Sequence, residues 1–544
     1  MILDFTNLSS EYTKRLNEIA EEIKVDYTLF VDEYCRKYNN YLFWATPFAS
    51  RNTYNDDTYL YVSRLLLAKE ITEKNKSIDR IVVETRGEYL TLQSQLGSDV
   101  SITYYPKGLV GRSIRKKIES LLGFASYFRR HMAYIRYADK EEYVYPEDIS
   151  IVIGPAICKD FDGYCFVDRY FTGIFDYHEG LYFPYIVNTM NIPNKTVFDK
   201  IKNCNNYKFL YDRFLVCIWD IIEIIRYWKY VNRVKKGKYL FKDIDISNIV
   251  RQSLECGKSN NTSFDGLMMR KMIGRLSSRG IIVKDFIQWY EGRPFDLLTA
   301  SAIRKYYPEA NYVGYEGYPL TESIPGLYIS SYQYESKYSP KIMAIPSKEY
   351  EPDAHQFCKE MPLMYIPILR DEYTLREKRI IEDHKYTILV LLSYIYEASV
   401  ELLKGVVDYS KKAGNICVLI KNHPTNDGYT LDDYGIKDQL AVQYVKGKLA
   451  DCLDGVDVVV TSLTSSTLEV VFANIPLVVL YPQGKLGHTC LPKKWREKLC
   501  CIAYDSRELS EKLELTMYNG ILDNSGLKEM LIPKTEANVS LLFS

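Results

Sequence analysis

The chain has 544 residues and equal numbers of basic and acidic side chains, so its formal net charge at pH 7 is zero. That length corresponds to about three domains or two large ones. Zero net charge excludes a chain built mainly to bind polyanions, and an apolar content of 47% excludes disorder as the dominant state. The twelve cysteines are scattered and the N-terminus has no signal-like pattern, which together predict a cytoplasmic protein.

Residues 1–365 predict an N-terminal α/β domain of irregular pattern. Apolar runs typical of strands lie at 79–85, 99–105, 148–154, 280–286, 310–315 and 340–346. Between them, residues 166–279 are rich in helical, aromatic and basic sequence. We interpret that stretch as a helical insertion in the N-terminal half.

The most apolar run of the chain lies inside this insertion, at residues 214–225. It is too short to span a bilayer and carries Asp220 and Glu223. A basic and aromatic segment follows it at residues 226–239. Such a segment suits either contact with the inner face of a membrane or an ordinary solvated helix face.

Residues 366–544 predict a second, more regular domain, with the boundary near residues 361–374. Here continuous Val, Ile and Leu runs alternate with helical segments; the runs lie at 386–394, 415–421, 441–445, 456–461, 476–481 and 501–505. Strands that are apolar on both faces indicate a parallel sheet covered by helices. We therefore predict an α/β chain with two Rossmann-like domains facing a cleft, and a ligand site at the carboxyl ends of their strands.

Lys421, Asn422, His423 and Pro424 directly follow one of these predicted strands. An imidazole at the carboxyl edge of a sheet can donate a hydrogen bond to a phosphate oxygen or protonate a leaving phosphate. A loop histidine packed against a neighbour is the alternative. The position of His423 at the end of a core strand raises the weight of the functional interpretation.

Six hydroxyl side chains follow the strand at 456–461, in the segment from Thr461 to Thr467. Hydroxyls and free backbone N–H groups at a helix start can bind an anion. Ser466 and Glu469 also fit a capping box, which needs no ligand. A helix cap needs only one hydroxyl, however, and the presence of six hydroxyl side chains favours phosphate binding.

Together these two elements resemble the C-terminal half of bacterial GT-B glycosyltransferases that build surface polysaccharides, of the sialyl-, polysialyl- and Kdo-transferase-like kind with HP and Ser/Thr motifs. The resemblance covers about residues 386–487, with fainter similarity at 44–52, 289–296 and 314–319. It implies that the nucleotide and its phosphate are bound by the following residues: Lys421, His423, Ser462, Ser465, Ser466 and Thr467. It further implies that Glu469 meets a ribose or sugar hydroxyl, the capping box remaining the alternative.

Glycosyl transfer needs a base for the acceptor hydroxyl, expected on the N-terminal domain. Glu291 and Glu316 both follow predicted strands, on loops expected to open toward the cleft. The sequence does not decide which of the two is the base. Glu291 is preferred because aromatic residues surround it. We also expect His423 to take part in catalysis. The D-x-D at Asp243 and Asp245 resembles a metal-binding pattern of the other glycosyltransferase fold, but it does not follow a clean strand, and we predict metal-independent chemistry.

The resemblance implies transfer of a sugar from a nucleotide-sugar donor, with a CMP-activated acidic sugar favoured, to a surface polysaccharide or glycolipid such as capsule or O-antigen. It implies no bound cofactor and a cytoplasmic protein, peripheral at the inner face of the membrane. Two alternatives remain: a CDP-glycerol-type glycerophosphotransferase, and a non-catalytic carbohydrate-binding or scaffold protein with the same fold.

Overall fold

The computed structural model describes the whole chain except residues 1, 75–77, 97–99, 105–111, 139–144, 157–159, 187–193, 318, 371–374, 376–384, 438–441, 520–526 and 544. Parts of the predicted strands at 99–105 and 441–445, and part of the predicted boundary at 361–374, lie outside the described residues.

The strands of the described residues are short, as is usual in α/β proteins. In chain order they are β1 (Ile2–Asp4), β2 (Arg80–Val83), β3 (Ser101–Tyr104), β4 (Ile149–Ala156), β5 (Phe161–Asp162), β6 (Cys165–Phe166), β7 (Leu181–Ile186), β8 (Leu240–Phe241), β9 (Ile244–Asp245), β10 (Val283–Trp289), β11 (Asn311–Tyr315), β12 (Ile342–Ile345), β13 (Leu363–Tyr365), β14 (Tyr386–Leu391), β15 (Ile416–Lys421), β16 (Val442–Tyr444), β17 (Val458–Thr461), β18 (Leu477–Leu480) and β19 (Cys501–Ala503).

The α-helices range from single turns to eight turns. In chain order they are α1 (Ser10–Tyr38), α2 (Tyr41–Trp44), α3 (Pro47–Ser50), α4 (Thr58–Lys74), α5 (Arg86–Gln95), α6 (Arg112–Tyr137), α7 (Asn194–Lys202), α8 (Ile221–Val234), α9 (Ser247–Cys256), α10 (Asn261–Ser278), α11 (Pro294–Tyr306), α12 (Ser331–Glu335), α13 (Glu351–Ala354), α14 (Tyr396–Ala413), α15 (Leu449–Cys452), α16 (Thr467–Phe472), α17 (Lys493–Leu499), α18 (Ser506–Asn519), α19 (Leu527–Met530) and α20 (Glu536–Ser540).

Two six-stranded sheets, parallel throughout, form the body of the molecule, and they confirm the predicted α/β fold with two Rossmann-like units. Their strand orders are β13-β12-β11-β10-β4-β7 and β16-β15-β14-β17-β18-β19. Every residue of β4, β17 and β18 is buried, because helices cover both faces of each sheet. That double burial is why these strands are continuous apolar runs without alternation.

A third, three-stranded parallel sheet holds the N-terminus and corrects one expectation. The runs at 79–85 and 99–105 were expected to share a sheet with the run at 148–154. Instead β2 and β3 pair with each other and with β1, in the order β1-β2-β3, while β4 belongs to the larger sheet. Ile2 of β1 pairs with Arg80 of β2, so this sheet depends on a contact between residues far apart in the chain.

The stretch at 166–279 is not a purely helical insertion. β7 lies within it and forms the edge of the first large sheet beside β4. Buried residues of α8 and α9, such as Val231 and Val250, belong to the same apolar core as residues of α1 and α4. Among the described residues, no helix is both long and apolar enough to cross a bilayer.

The two halves of the chain are joined by many contacts. The predicted boundary at 365/366 falls between β13 and β14, but the end of the chain returns to the first half: Val539 and Leu542 pack in the core of the first large sheet. Gly484, on the loop after β18, has φ +66°, and a Cβ there would lie 2.1 Å from the Phe5 carbonyl oxygen after β1. Only glycine permits that approach of the two backbones.

Candidate functional site

A cavity of about 830 Å³ lies between the three-stranded sheet and the C-terminal sheet. The N-terminal half contributes residues after β1 and β2 and a loop before α4, and the C-terminal half contributes residues after β14, β17, β18 and β19. Its polar lining includes Thr6, Asn7, Thr53, Tyr54, Asp57, Glu84, Ser323, Tyr394, Glu397, Glu401, Lys404, Gln483, Lys485, His488 and Ser506. The cavity thus lies at the carboxyl ends of parallel strands, where open α/β sheets bind ligands.

The start of α14 forms one wall of this cavity. The helix follows β14 after a short loop, and its first turn carries no side-chain cap on the backbone N–H groups. The helix dipole favours an anion at such an end. Glu401, one turn further along, also lines the cavity.

Glu401 accepts a hydrogen bond from the Gln483 backbone N–H at 3.1 Å. Its other carboxyl oxygen is buried and has no hydrogen-bond partner. Burial raises the pKa of Glu401 to about 7, so near neutral pH this carboxyl can either donate or accept a hydrogen bond. No local pattern in the sequence predicts this role for Glu401, since its environment depends on the loop after β18.

His488 forms a second polar group in the cavity wall that the sequence analysis missed. Its Nδ1 lies 3.0 Å from the Ser323 hydroxyl and its Nε2 lies 3.3 Å from the Tyr54 hydroxyl. The ring therefore bridges the C-terminal loop after β18 to two segments of the N-terminal half. Burial, aided by the charge of Arg496, lowers the pKa of His488 to about 4, which keeps the imidazole neutral near pH 7.

This buried histidine should make folding stability depend on pH. Between pH 6.5, the ordinary pKa, and about pH 4, the unfolded chain binds a proton that the folded chain does not, so stability is present above this window and falls as pH decreases through it. From pH 7 to pH 5 the native chain should lose about 2 kcal/mol more unfolding free energy than a His488→Asn variant. Denaturant titrations at the two pH values measure the difference, and an equal loss in both chains would contradict it.

The HP loop and the hydroxyl-rich turn lie at the same edge of the C-terminal sheet, but not on adjacent strands. β14 pairs with both β15 and β17 and separates them. One strand, β14, therefore lies between the two strands that the motifs follow. The loop after β14 lies between them, and its Tyr394 ring is 5.8 Å from the His423 ring.

Some of the predicted phosphate-binding side chains are already hydrogen-bonded within the protein, and others are partly exposed. Lys421 donates to the Gly447 carbonyl oxygen at 2.5 Å. Ser462 is buried and donates to the Leu480 carbonyl oxygen at 2.8 Å, and the Thr467 hydroxyl accepts from the Cys490 N–H at 3.3 Å. Ser465, Ser466 and Glu469 are half-buried.

The capping box is not formed, because the Ser466 side chain makes no cap hydrogen bond to α16. Its hydroxyl instead contacts the Thr464 hydroxyl at 3.3 Å. Leu463, in the same turn, adopts a left-handed backbone with φ 51° and lines the cavity. The turn is therefore shaped by its backbone and by the adjoining loops more than by helix capping.

The two candidate bases lie in different environments. Glu291 follows β10 and is a quarter exposed; the Trp289 indole N–H donates to its Oε1 at 2.6 Å, and the Arg293 guanidinium lies 3.2 Å from its Oε2. Its neighbours thus include a hydrogen-bond donor and a cation as well as the aromatic residues that the sequence suggested. Burial, followed by the charges of Asp57 and Glu291, raises the pKa of the Tyr394 hydroxyl.

Glu316 does not open toward the cleft as expected. It is only 2% exposed, one of its carboxyl oxygens has no hydrogen-bond partner, and burial raises its pKa well above the ordinary value. Burial therefore disfavours the ionised form that a general base needs.

Asp243 lies in the tight turn between β8 and β9, and Asp245 is the last residue of β9. Asp243 adopts φ 65°, and the Asp245 carboxylate accepts from the Ser247 N–H at 2.9 Å. Over the residues that the structure describes, no group of three or more His, Cys, Asp or Glu side chains is arranged to hold a metal ion.

Comparisons with known proteins give similarity to solved structures only. No family model matches the sequence, and no curated protein matches it. A UDP-GlcNAc 2-epimerase from Methanocaldococcus jannaschii, in complex with UDP-GlcNAc and UDP, is 10% identical, with 70% of this chain and 97% of that chain covered and a TM-score of 0.39. A glycosyltransferase from Rickettsia africae is 10% identical over 74% and 95%, with a TM-score of 0.37. The S. aureus MnaA–UDP structure is 9% identical over 72% and 92%, with a TM-score of 0.39.

Proposed function

We propose that this chain is a metal-independent glycosyltransferase that takes a sugar from a nucleotide-sugar donor, with a CMP-activated acidic sugar favoured. The acceptor is a surface polysaccharide or glycolipid, such as capsule or O-antigen, and the reaction takes place in the cytoplasm at the inner face of the membrane. The observation that carries the proposal is the 830 Å³ cavity between the two halves, at the strand ends where α/β proteins bind ligands.

The arrangement around Tyr394 supports a division of roles. The His423 ring lies 5.8 Å from the Tyr394 ring, measured between ring centres, and the charge of Glu291 contributes to the raised pKa of Tyr394. In the proposed reaction, His423, Lys421 and the turn containing Ser465 and Ser466 bind the nucleotide phosphate. Glu291 takes the proton from the acceptor hydroxyl as the hydroxyl oxygen attacks the anomeric carbon and the nucleotide leaves with the bonding electron pair.

Glu291 is the better supported base of the two candidates. It is partly exposed near the cleft, whereas the Glu316 carboxyl is buried with a raised pKa. Glu469 and Thr467 remain proposed contacts to the nucleotide or sugar from the first turn of α16. Ser462 contributes through the shape of the turn, since its hydroxyl is bonded to the Leu480 carbonyl oxygen.

A thermal-shift series with CMP, CDP, UDP and GDP, run in EDTA, tests the nucleotide site. A nucleotide at about 100 times its dissociation constant should add about 2.7 kcal/mol of stability. His423→Ala should weaken binding of that nucleotide by about tenfold, which corresponds to one lost phosphate hydrogen bond. His355→Ala, which changes a half-buried histidine of the N-terminal half bonded to the Met361 carbonyl oxygen, is the matched control.

The same series separates the alternatives. A shift with CDP, followed by transfer of glycerol phosphate, would support the CDP-glycerol-type enzyme. Tight nucleotide binding without turnover would support the non-catalytic protein. No shift with any nucleotide, or a shift that His423→Ala leaves unchanged, would contradict the proposed site, and activity that disappears in EDTA and returns with Mg²⁺ or Mn²⁺ would contradict metal independence.

A further inference from the structure

Large apolar side chains are exposed on one face of the segment that begins α8. Trp219 is 72% exposed, and Ile218, Ile222 and Ile225 are exposed beside it. Ile218, Ile222 and Ile225 follow the i, i+4, i+7 spacing that places side chains on one helical stripe. The stripe is unpartnered, because the face that packs into the core carries Ile224, Tyr227 and Val231 instead. Exposed apolar clusters of this kind mark interaction sites.

The neighbouring helix α6 extends this face. Phe124 of α6 packs on Trp228 with ring centres 5.1 Å apart, and His131 of α6 contacts the Cys217 carbonyl oxygen at 2.9 Å. The two segments therefore run side by side, and Phe128 lies between those two contacts along α6. Phe128 is exposed, and so is Leu122, two residues before Phe124 on α6.

Of the charged side chains at residues 122–137 and 218–233, those that are exposed are all basic. Arg226 is 60% exposed, and Lys229, Arg233 and Arg129 are also exposed. The acidic residues of the segment point the other way. Asp220 is buried and paired with Arg275, and Glu223 is buried and paired with Arg226 and Lys271.

We propose that this face, made of the exposed apolar side chains of residues 218–225 and of α6 with the cationic side chains around them, docks the protein on an anionic lipid bilayer. Apolar side chains that include a tryptophan enter the interface between headgroups and acyl chains, and exposed Lys and Arg side chains bind anionic headgroups. A soluble protein partner would have to supply complementary acidic groups. A second copy of this chain would place the cations of the two copies against each other. Charge complementarity therefore favours the lipid surface.

This docking rests on the membrane location in the proposed function, but its test needs neither donor nor acceptor, so its outcome is separate from that of the glycosyl-transfer tests. The full chain is incubated with vesicles of phosphatidylcholine alone and of phosphatidylcholine with phosphatidylglycerol, and the bound fraction is found by flotation. We expect binding to the anionic vesicles that weakens as salt is raised. Trp219→Ser with Ile222→Ser should weaken binding by about tenfold or more, and Lys229→Glu with Arg233→Glu should do the same.

Two further variants keep the test specific. Leu29→Ser with Ile282→Ser removes exposed apolar side chains elsewhere and should leave vesicle binding unchanged. Trp219→Phe should keep most of the binding but lose the blue shift of tryptophan emission that vesicles produce in the native chain. Absence of binding to anionic vesicles, or equal binding by the native chain and both face variants, would overturn the proposal. A native dimer in light scattering that Trp219→Ser with Ile222→Ser dissociates would also overturn it, in favour of self-association.

Discussion

Glu291→Gln is expected to lower turnover by about 100-fold or more while leaving nucleotide affinity nearly unchanged. The amide has the size of the carboxylate and still offers an oxygen to the Trp289 indole N–H, which now donates to Glu291 Oε1 at 2.6 Å. It cannot accept the acceptor's proton. Arg293 keeps other partners, since its guanidinium also contacts Asp296 and the Tyr185 hydroxyl, so the variant should fold.

Turnover is followed as nucleotide released from the donor in the presence of a glycan acceptor, and affinity by calorimetry with the free nucleotide. Glu316→Gln is the matched control and should keep native turnover, because its carboxyl is buried and burial disfavours its ionised form. A loss confined to Glu316→Gln would move the base to that residue. Native turnover in both variants would exclude both carboxylates.

Arg64→Ala should cost about 3–5 kcal/mol of unfolding free energy, because it removes the cation paired with the buried Glu88 carboxylate and one of the two cations paired with Glu84. The Arg64 guanidinium is 1% exposed and lies 3.0 Å from the Glu84 carboxylate and 3.1 Å from that of Glu88. It also donates from Nε to the Gly484 carbonyl oxygen at 3.0 Å, which ties the N-terminal half to the loop after β18. Burial opposes ionisation of Glu84, but Arg64 and Lys485 outweigh it and lower the pKa to about 2.

Denaturant unfolding of the two chains measures this loss. Arg507→Ala is the matched control, since its pair with Glu511 is exposed on α18 at helical i,i+4 spacing, and removing it should cost about 0.5 kcal/mol or less. A loss in Arg64→Ala no larger than that of the control would contradict the buried network as a determinant of stability.

The C-terminal sheet could be predicted from the sequence because its signal is local. Parallel strands buried on both faces must be apolar at every position, and β14, β17 and β18 each carry such a run between helical segments. The placement of His423 and the hydroxyl-rich turn at one edge follows from the same fact, since in a parallel sheet all strands end on the same side.

Other features depend on contacts between residues far apart in the chain, and only the tertiary structure decided them. The three-stranded sheet needs β1, three residues long, to pair with β2 almost eighty residues later, and no local pattern carries that pairing. β14 is the first strand of its domain in the chain, but it lies at the centre of the sheet, between β15 and β17. Burial of Glu316 and the neutral state of His488 arise from packing by distant loops, whereas sequence position alone favours an exposed carboxylate and an ordinary histidine.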